Sequence, residues 1–311
     1  IEDSQISLQN WIQHFGLECA PKKQWGLFGA LFFAGVTSGS LILPRLSDQY
    51  GRRKVALIGN LLHLFPGILF LFSHSLNFSL FLIFIMGIGM GGRVFVGYIF
   101  MTENMRIADS PKATAAMFTF DAMNLAISAV YFKYNKDWHN LFGIPLLLLA
   151  FAITAMLLEE DTPKFVFSQG DYDKTRSLLT RIGRKNGMLL KDEIFDKKFK
   201  IEVLGPETSA IDGNLKETDK SVKAFLKDSL NVKNGASFIL MSITCSFSYY
   251  LINFYVKYLP GDVFTNQIVN SLAEGVAHAA SAAVVLMMST KKGFAAGYAS
   301  CAISCILVMF S

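Results

Sequence analysis

Leu43-Pro44-Arg45-Leu46-Ser47-Asp48-Gln49-Tyr50-Gly51-Arg52-Arg53-Lys54-Val55 decides how the rest of the chain is read. It is a short basic turn set between two long apolar runs, roughly residues 26–46 and 55–73. Gly51 permits a tight reversal between two helices. Asp48 falls where a carboxylate favours the positive end of the following helix. Arg52, Arg53 and Lys54 suit a loop held at charged headgroups, because basic residues concentrate in the cytoplasmic loops of membrane proteins.

The same alternation continues outward. About 20 apolar residues cross a bilayer, and eight stretches qualify: roughly 26–46, 55–73, 77–102, 113–133, 140–158, 236–258, 266–290 and 293–311. Of the 311 residues 52% are hydrophobic, only 17% are charged, and 28 are Phe. The mean hydropathy is +0.39. Soluble domains carry about 25% charged residues. The chain is therefore expected to be an all-α membrane protein. Residues 159–235 hold 15 of the 29 Lys+Arg, whereas residues 55–92 hold none. The net charge of +5 comes from such loops and gives no case for nucleic-acid binding. Within 159–235, Asp171–Arg184 and Ser221–Leu230 have amphipathic helical spacing, as surface helices on the inner membrane face would.

Putting the loops at 45–54, 106–112, 159–235 and 291–292 on one side gives them 23 basic residues, against 5 on the other. That side is read as cytoplasmic. The division is then residues 1–25, the end of an extracellular loop; 26–158, the helices of an N-terminal half; 159–235, a cytoplasmic linker; and 236–311, part of a C-terminal half. Cys245, Cys301 and Cys305 lie in apolar runs and read as small core residues, while Cys19 lies outside them. No Cys or His spacing suits a metal, no Gly-rich phosphate loop is present, and no nucleophile–base set marks an enzyme. No cofactor is expected.

The basic turn resembles the Asp-Arg-x-Gly-Arg-Arg loop between the second and third helices of the major facilitator superfamily. Glu159–Thr175 (EEDTPKFVFSQGDYDKT) resembles the Pro-Glu-Ser-Pro-Arg-Trp-Leu segment of its sugar-porter and organic cation/anion branches, through Pro163, Lys164, Phe165, Ser168, Gln169 and Gly170. GYIFMTEN is similar to a fourth-helix stretch of organic cation transporters, through Gly97, Tyr98 and Glu103. CSFSYY at 245–250 and NSLAE at 270–274 resemble that family's seventh and eighth helices. Gln49 replaces the usual Arg, Pro44 stands where Gly is common, Glu160 replaces the first Pro of the later motif, and the C-half loop STKKGF has no acid. The resemblance implies a twelve-helix bundle of which eight are visible, lacking the first and last three.

Charges inside a span cost roughly 2.5–3.5 kcal/mol each on insertion scales, so they mark candidate sites. Arg93 and Asp121 come out roughly 18 and 15 Å deep at 1.5 Å per residue, on consecutive antiparallel helices, and are expected to pair. Glu274 is a second candidate, with His278 one turn on; the resemblance puts a substrate-facing Glu at Glu274 and a cavity Tyr at Tyr249. Asp48, Gly51, Arg52, Arg53 and Glu103 are the expected gating residues. His63 reads as a packing residue. The expected activity is secondary active or facilitative transport of a small charged organic solute by alternating access, with or without a coupling ion. The alternatives are a sugar or polyol porter and a non-transporting scaffold or receptor.

Overall fold

A chain of apolar runs in lipid must satisfy its backbone hydrogen bonds internally, which leaves helices as the economical solution. The computed structural model describes residues 11–106, 108–135, 137–187, 229–288 and 290–310, and the elements among them are helices. They are α1 (Trp11–His14), α2 (Lys22–Tyr50), α3 (Arg52–Phe72), α4 (Leu76–Gly91), a π-helical turn (Gly92–Val96), α5 (Gly97–Glu103), α6 (Ser110–Tyr134), α7 (Trp138–Leu158), α8 (Pro163–Ser168), α9 (Tyr172–Lys185), α10 (Ser229–Tyr255), α11 (Val263–Met287) and α12 (Thr290–Phe310). Each of the eight expected spans has a long helix. Six are long and apolar enough to cross a membrane, with α4, the π turn and α5 forming one rod; α11 and α12 are not among those six.

The amphipathic stretch expected at Asp171–Arg184 is α9. In the second, expected at Ser221–Leu230, residues 221–228 lie outside the described residues, and Ser229 and Leu230 open α10. Side chains face outward in the manner of a membrane protein: Phe72, Phe120, Leu147, Phe151 and Leu158 are all more than 70% exposed. Cys245 and Cys301 are likewise exposed, contrary to their reading as core residues, because no described side chain of α10 or α12 is buried; the Cys305 side chain lies outside the described residues.

Contacts divide the chain into two units, Ile1–Asp171 with Pro260–Ser311, and Tyr172–Leu259. In the first, α2, α3 and α4 pack along a seam of glycines. A Cβ at Gly35 would overlap the Phe84 carbonyl, one at Gly39 the Ile88 carbonyl, and one at Gly87 the Phe32 carbonyl. A Cβ at Gly59 would lie 2.8 Å from the Gly92 Cα, bringing α3 against the π turn. Small residues allow this backbone-to-backbone approach, which a larger side chain would forbid. α7 covers α3 through Leu64, Leu146, Leu149 and Ile153. α11 lies against α6. The second unit contains α9 and α10.

Candidate functional sites: a charged bracket and a charged interior

The α2–α3 turn is closed by hydrogen bonds that reach far along the chain. Gly51 has φ 105° and ψ 146°, in the half of the map that favours glycine. A Cβ there would overlap the Asp161 carboxylate. Asp161 Oδ1 accepts from the backbone N–H of Arg52 at 3.0 Å and of Arg53 at 3.2 Å, and also from its neighbour Thr162 at 3.0 Å. It thus caps α3 from 109 residues away, at the positive end of the helix.

Arg52 is the hub. Its Nη2 meets Asp48 Oδ1 at 2.9 Å, its Nη1 donates to the Ser47 carbonyl at 2.9 Å, and its Nε donates to Glu103 Oε2 at 3.1 Å. Its guanidinium also lies 5.3 Å from the centre of the Phe165 ring. The Glu103 side chain is 8% exposed and also accepts from the Thr162 hydroxyl at 2.7 Å, with Lys164 Nζ at 3.7 Å. Arg53 donates to the carbonyls of Met156 at 3.0 Å and Leu157 at 2.6 Å, which are open groups at the C-terminus of α7. The five expected gating residues therefore meet in one bracket joining α2, α3, α5, α7 and α8. Sequence reasoning missed Asp161 and Thr162. Thr162 had a local signal, a Thr-Pro pair that starts a helix; it caps α8 by accepting from the Phe165 N–H at 3.2 Å. Asp161 had none, because the helix it caps is remote in sequence.

The interior charges are sparsely partnered. Arg93 sits in the π turn and donates to Met90 Sδ at 3.2 Å. Asp121 is close enough to act on it electrostatically, but the two are not among the described ion pairs within 4.0 Å. His63 Nδ1 lies 3.1 Å from the Met86 carbonyl. On α11, Glu274 Oε1 and His278 Nε2 are 3.6 Å apart, with side chains 20% and 34% exposed. The Phe118 ring of α6 stacks on His278 at 5.4 Å with 24° between planes, and the Thr119 hydroxyl lies 3.4 Å from the Gly275 carbonyl. Phe118 and Thr119 were also missed, since which face of α6 meets α11 is a tertiary matter. Tyr249 belongs to the second unit, where it packs edge-on against Tyr250 at 5.2 Å.

At the opposite end from Gly51, the loops are pinned by caps. Asp262 accepts from the Thr265 hydroxyl at 2.6 Å and its N–H at 3.1 Å, and Lys133 Nζ of α6 lies 3.3 Å away. The Thr265 hydroxyl is the main cause holding the Asp262 carboxyl below the usual carboxylate range. Asp137 caps α7 and is held low first by the His139 N–H and then by its imidazole at 2.6 Å. The His14 ring lies 5.2 Å from that of His74 and 5.6 Å from that of His139.

Residues 4–310 match the sugar (and other) transporter family. The chain belongs to that family, within the major facilitator superfamily. This transporter chain is 24% identical to solute carrier family 22 member 4 of Mus musculus over 88% of its own length, and 26% identical to organic cation/carnitine transporter 4 of Arabidopsis thaliana over 88%. It is 23% identical to organic cation/carnitine transporter 2 of Homo sapiens over 86%. It spans about half the length of these relatives, 48%, 52% and 47% respectively. The fold is similar to that of the Escherichia coli xylose transporter XylE in a partially occluded inward-open conformation, with a TM-score of 0.52 at 12% identity, over 92% of this chain and 80% of that one. The chain is thus a multi-pass integral membrane protein of a transporter family.

Proposed function

We propose that the protein to which this chain belongs moves small charged organic solutes across a membrane by alternating access, with the Gly51 turn and residues 159–235 on the cytoplasmic side. The observation that carries this is the Glu274–His278 pair with Phe118 stacked on its imidazole, a carboxylate and an aromatic surface where α11 lies against the spanning helix α6. A carboxylate and aromatic faces attract an organic cation. Arg93 supplies positive charge on another helix, which suits a zwitterion with an acid group. His278, paired with Glu274, is the candidate for proton coupling. Tyr249 is the further candidate from the second unit. The organic cation/carnitine names of the relatives point to the same solute class. Asp48, Arg52, Arg53 and Glu103, with Asp161 and Thr162, would form the cytoplasmic gate. Transport of this kind needs no covalent chemistry and no cofactor, and its partners are the solute, any coupling ion and the bilayer.

Uptake of a labelled quaternary ammonium, labelled carnitine and a labelled hexose by cells expressing the protein tests this. The expected result is saturable uptake of one of the first two, lowered at least about tenfold by Glu274→Gln at equal surface expression, a loss of about 1.4 kcal/mol or more. Saturable hexose uptake indifferent to Glu274→Gln would favour a sugar porter instead, and no uptake of any of the three would favour the scaffold reading.

A further inference from the structure

The α6–α11 contact carries the Glu274–His278 pair at its middle and a second charged arrangement at one end. α6 starts at Ser110, shortly after Glu103 of the bracket, and Lys133 lies roughly 35 Å further along it at 1.5 Å per residue. Asp262 directly precedes α11, and Glu274 lies roughly 18 Å further along that helix. At this far end three side chains close on one another. The Thr265 hydroxyl donates to Asp262 Oδ2 at 2.6 Å and accepts from Lys133 Nζ at 3.1 Å, and the same ammonium lies 3.3 Å from the same Oδ2. Asp262 is also fixed from its own side, because it accepts the Thr265 N–H at 3.1 Å and the Phe264 N–H at 3.4 Å. The acceptor thus stays in place as the cap of α11 whether or not the lysine of α6 is present.

We propose that Lys133, Asp262 and Thr265 form a reversible latch that ties the outer ends of α6 and α11 and opens before the level of Glu274 is reached from outside. The inference rests on the proposed function, which puts the Gly51 turn in the cytoplasm and α6 and α11 in different halves of an alternating-access protein. The geometry suits a contact that is broken and remade. The Lys133 and Asp262 side chains are 41% and 47% exposed, whereas Glu103 in the bracket is 8% exposed. Water solvates both ions when they part, and such exposed pairs are weak. A weak tie biases a two-state equilibrium without freezing it. The preformed acceptor on α11 lets the lysine return to one position, since only its own flexible chain has to be ordered again.

The test is the rate at which a membrane-impermeant thiol reagent, added outside cells expressing the full-length protein, labels a cysteine in this interface. Met123→Cys is the reporter, since Met123 lies against Gly275 of α11, with the protein's other cysteines changed to serine. Thr119→Cys, against the same glycine, serves if that variant fails to reach the surface. Lys133→Gln is expected to raise the labelling rate about threefold or more at equal surface expression, and Asp262→Asn, which keeps a capping oxygen, to do the same. The double variant should label no faster than either single one, because both remove one interaction. Lys133→Arg, which keeps the charge, and Lys23→Gln, which removes an exposed lysine outside the triad, should label at the parent rate. Parent-like labelling in both Lys133→Gln and Asp262→Asn would overturn the latch. So would additive effects in the double variant, or an equal rise in Lys23→Gln. The labelling needs no solute, so the two readings fail separately: normal cation uptake with unchanged labelling rejects the latch alone, and faster labelling without uptake of any probe rejects the solute class alone.

Discussion

The bracket at the Gly51 turn and the interior charges are built from the same residue types to opposite ends. At the turn, Arg52 makes contacts to Asp48, Ser47 and Glu103, and Asp161 accepts three N–H groups. Most of the charge there is matched by hydrogen bonds, so the arrangement favours one geometry. In the interior, Glu274 has His278 at 3.6 Å, and Arg93 has only a thioether at 3.2 Å among its described contacts. A charge with unused hydrogen-bonding capacity inside a span is costly unless something else occupies it. On the proposed function, the difference separates a lock, which gains from being complete, from a site, which must leave room for its solute.

Several substitutions would sharpen or break that distinction. The largest loss of stability is expected from Glu103→Ala. It strips a nearly buried acceptor from Arg52 and Thr162, and breaking a buried pair costs roughly 3–5 kcal/mol. Thermal melting of the purified protein would read it, and a double-mutant cycle with Arg52→Ala should recover part of the loss. Gly87→Leu comes next, about 1–3 kcal/mol or more, because its side chain would have to displace the α2 backbone at Phe32; a normal melt would disprove the glycine seam. Asp161→Ala should cost about 1–2 kcal/mol as the loss of a charged helix cap. Asp137 sets a smaller, pH-dependent effect. Its carboxyl is held low by His139, so its contribution is complete above about pH 4 and disappears as pH falls through the depressed value. Melting curves of Asp137→Asn should therefore converge with those of the parent only under strongly acid conditions. The smallest expected effect on stability is Glu274→Gln, within about 0.5 kcal/mol, even as uptake falls. If it melted the protein as much as Glu103→Ala, the interior pair would be one more structural lock.

The fold was legible because burial in lipid imposes the same rule on every span, and long apolar runs state it directly. Gly51, Arg52 and Glu103 were legible because they sit in short, ordered motifs. Glycines 35, 39, 59 and 87 stand in the apolar runs, but nothing in the sequence says which backbone each meets. Arg93 and Asp121 lie on consecutive helices, but they are not among the described ion pairs, and the π turn that holds Arg93 had no signal in the sequence. Asp161 and Phe118 gave no signal because their partners lie in other helices, and only the packing brings them together.

The π turn at Gly92–Val96 also limits what can be learned by counting along this segment. A π turn holds one residue more than the α turn it replaces, and each residue of an α-helix advances the azimuth by about 100°. A wheel drawn from residue number alone therefore misplaces Glu103 by about 100° relative to Gly87. In the molecule, that extra residue is the phase correction that lets the glycine face of α4 meet α2 while Glu103, on the same rod, meets Arg52.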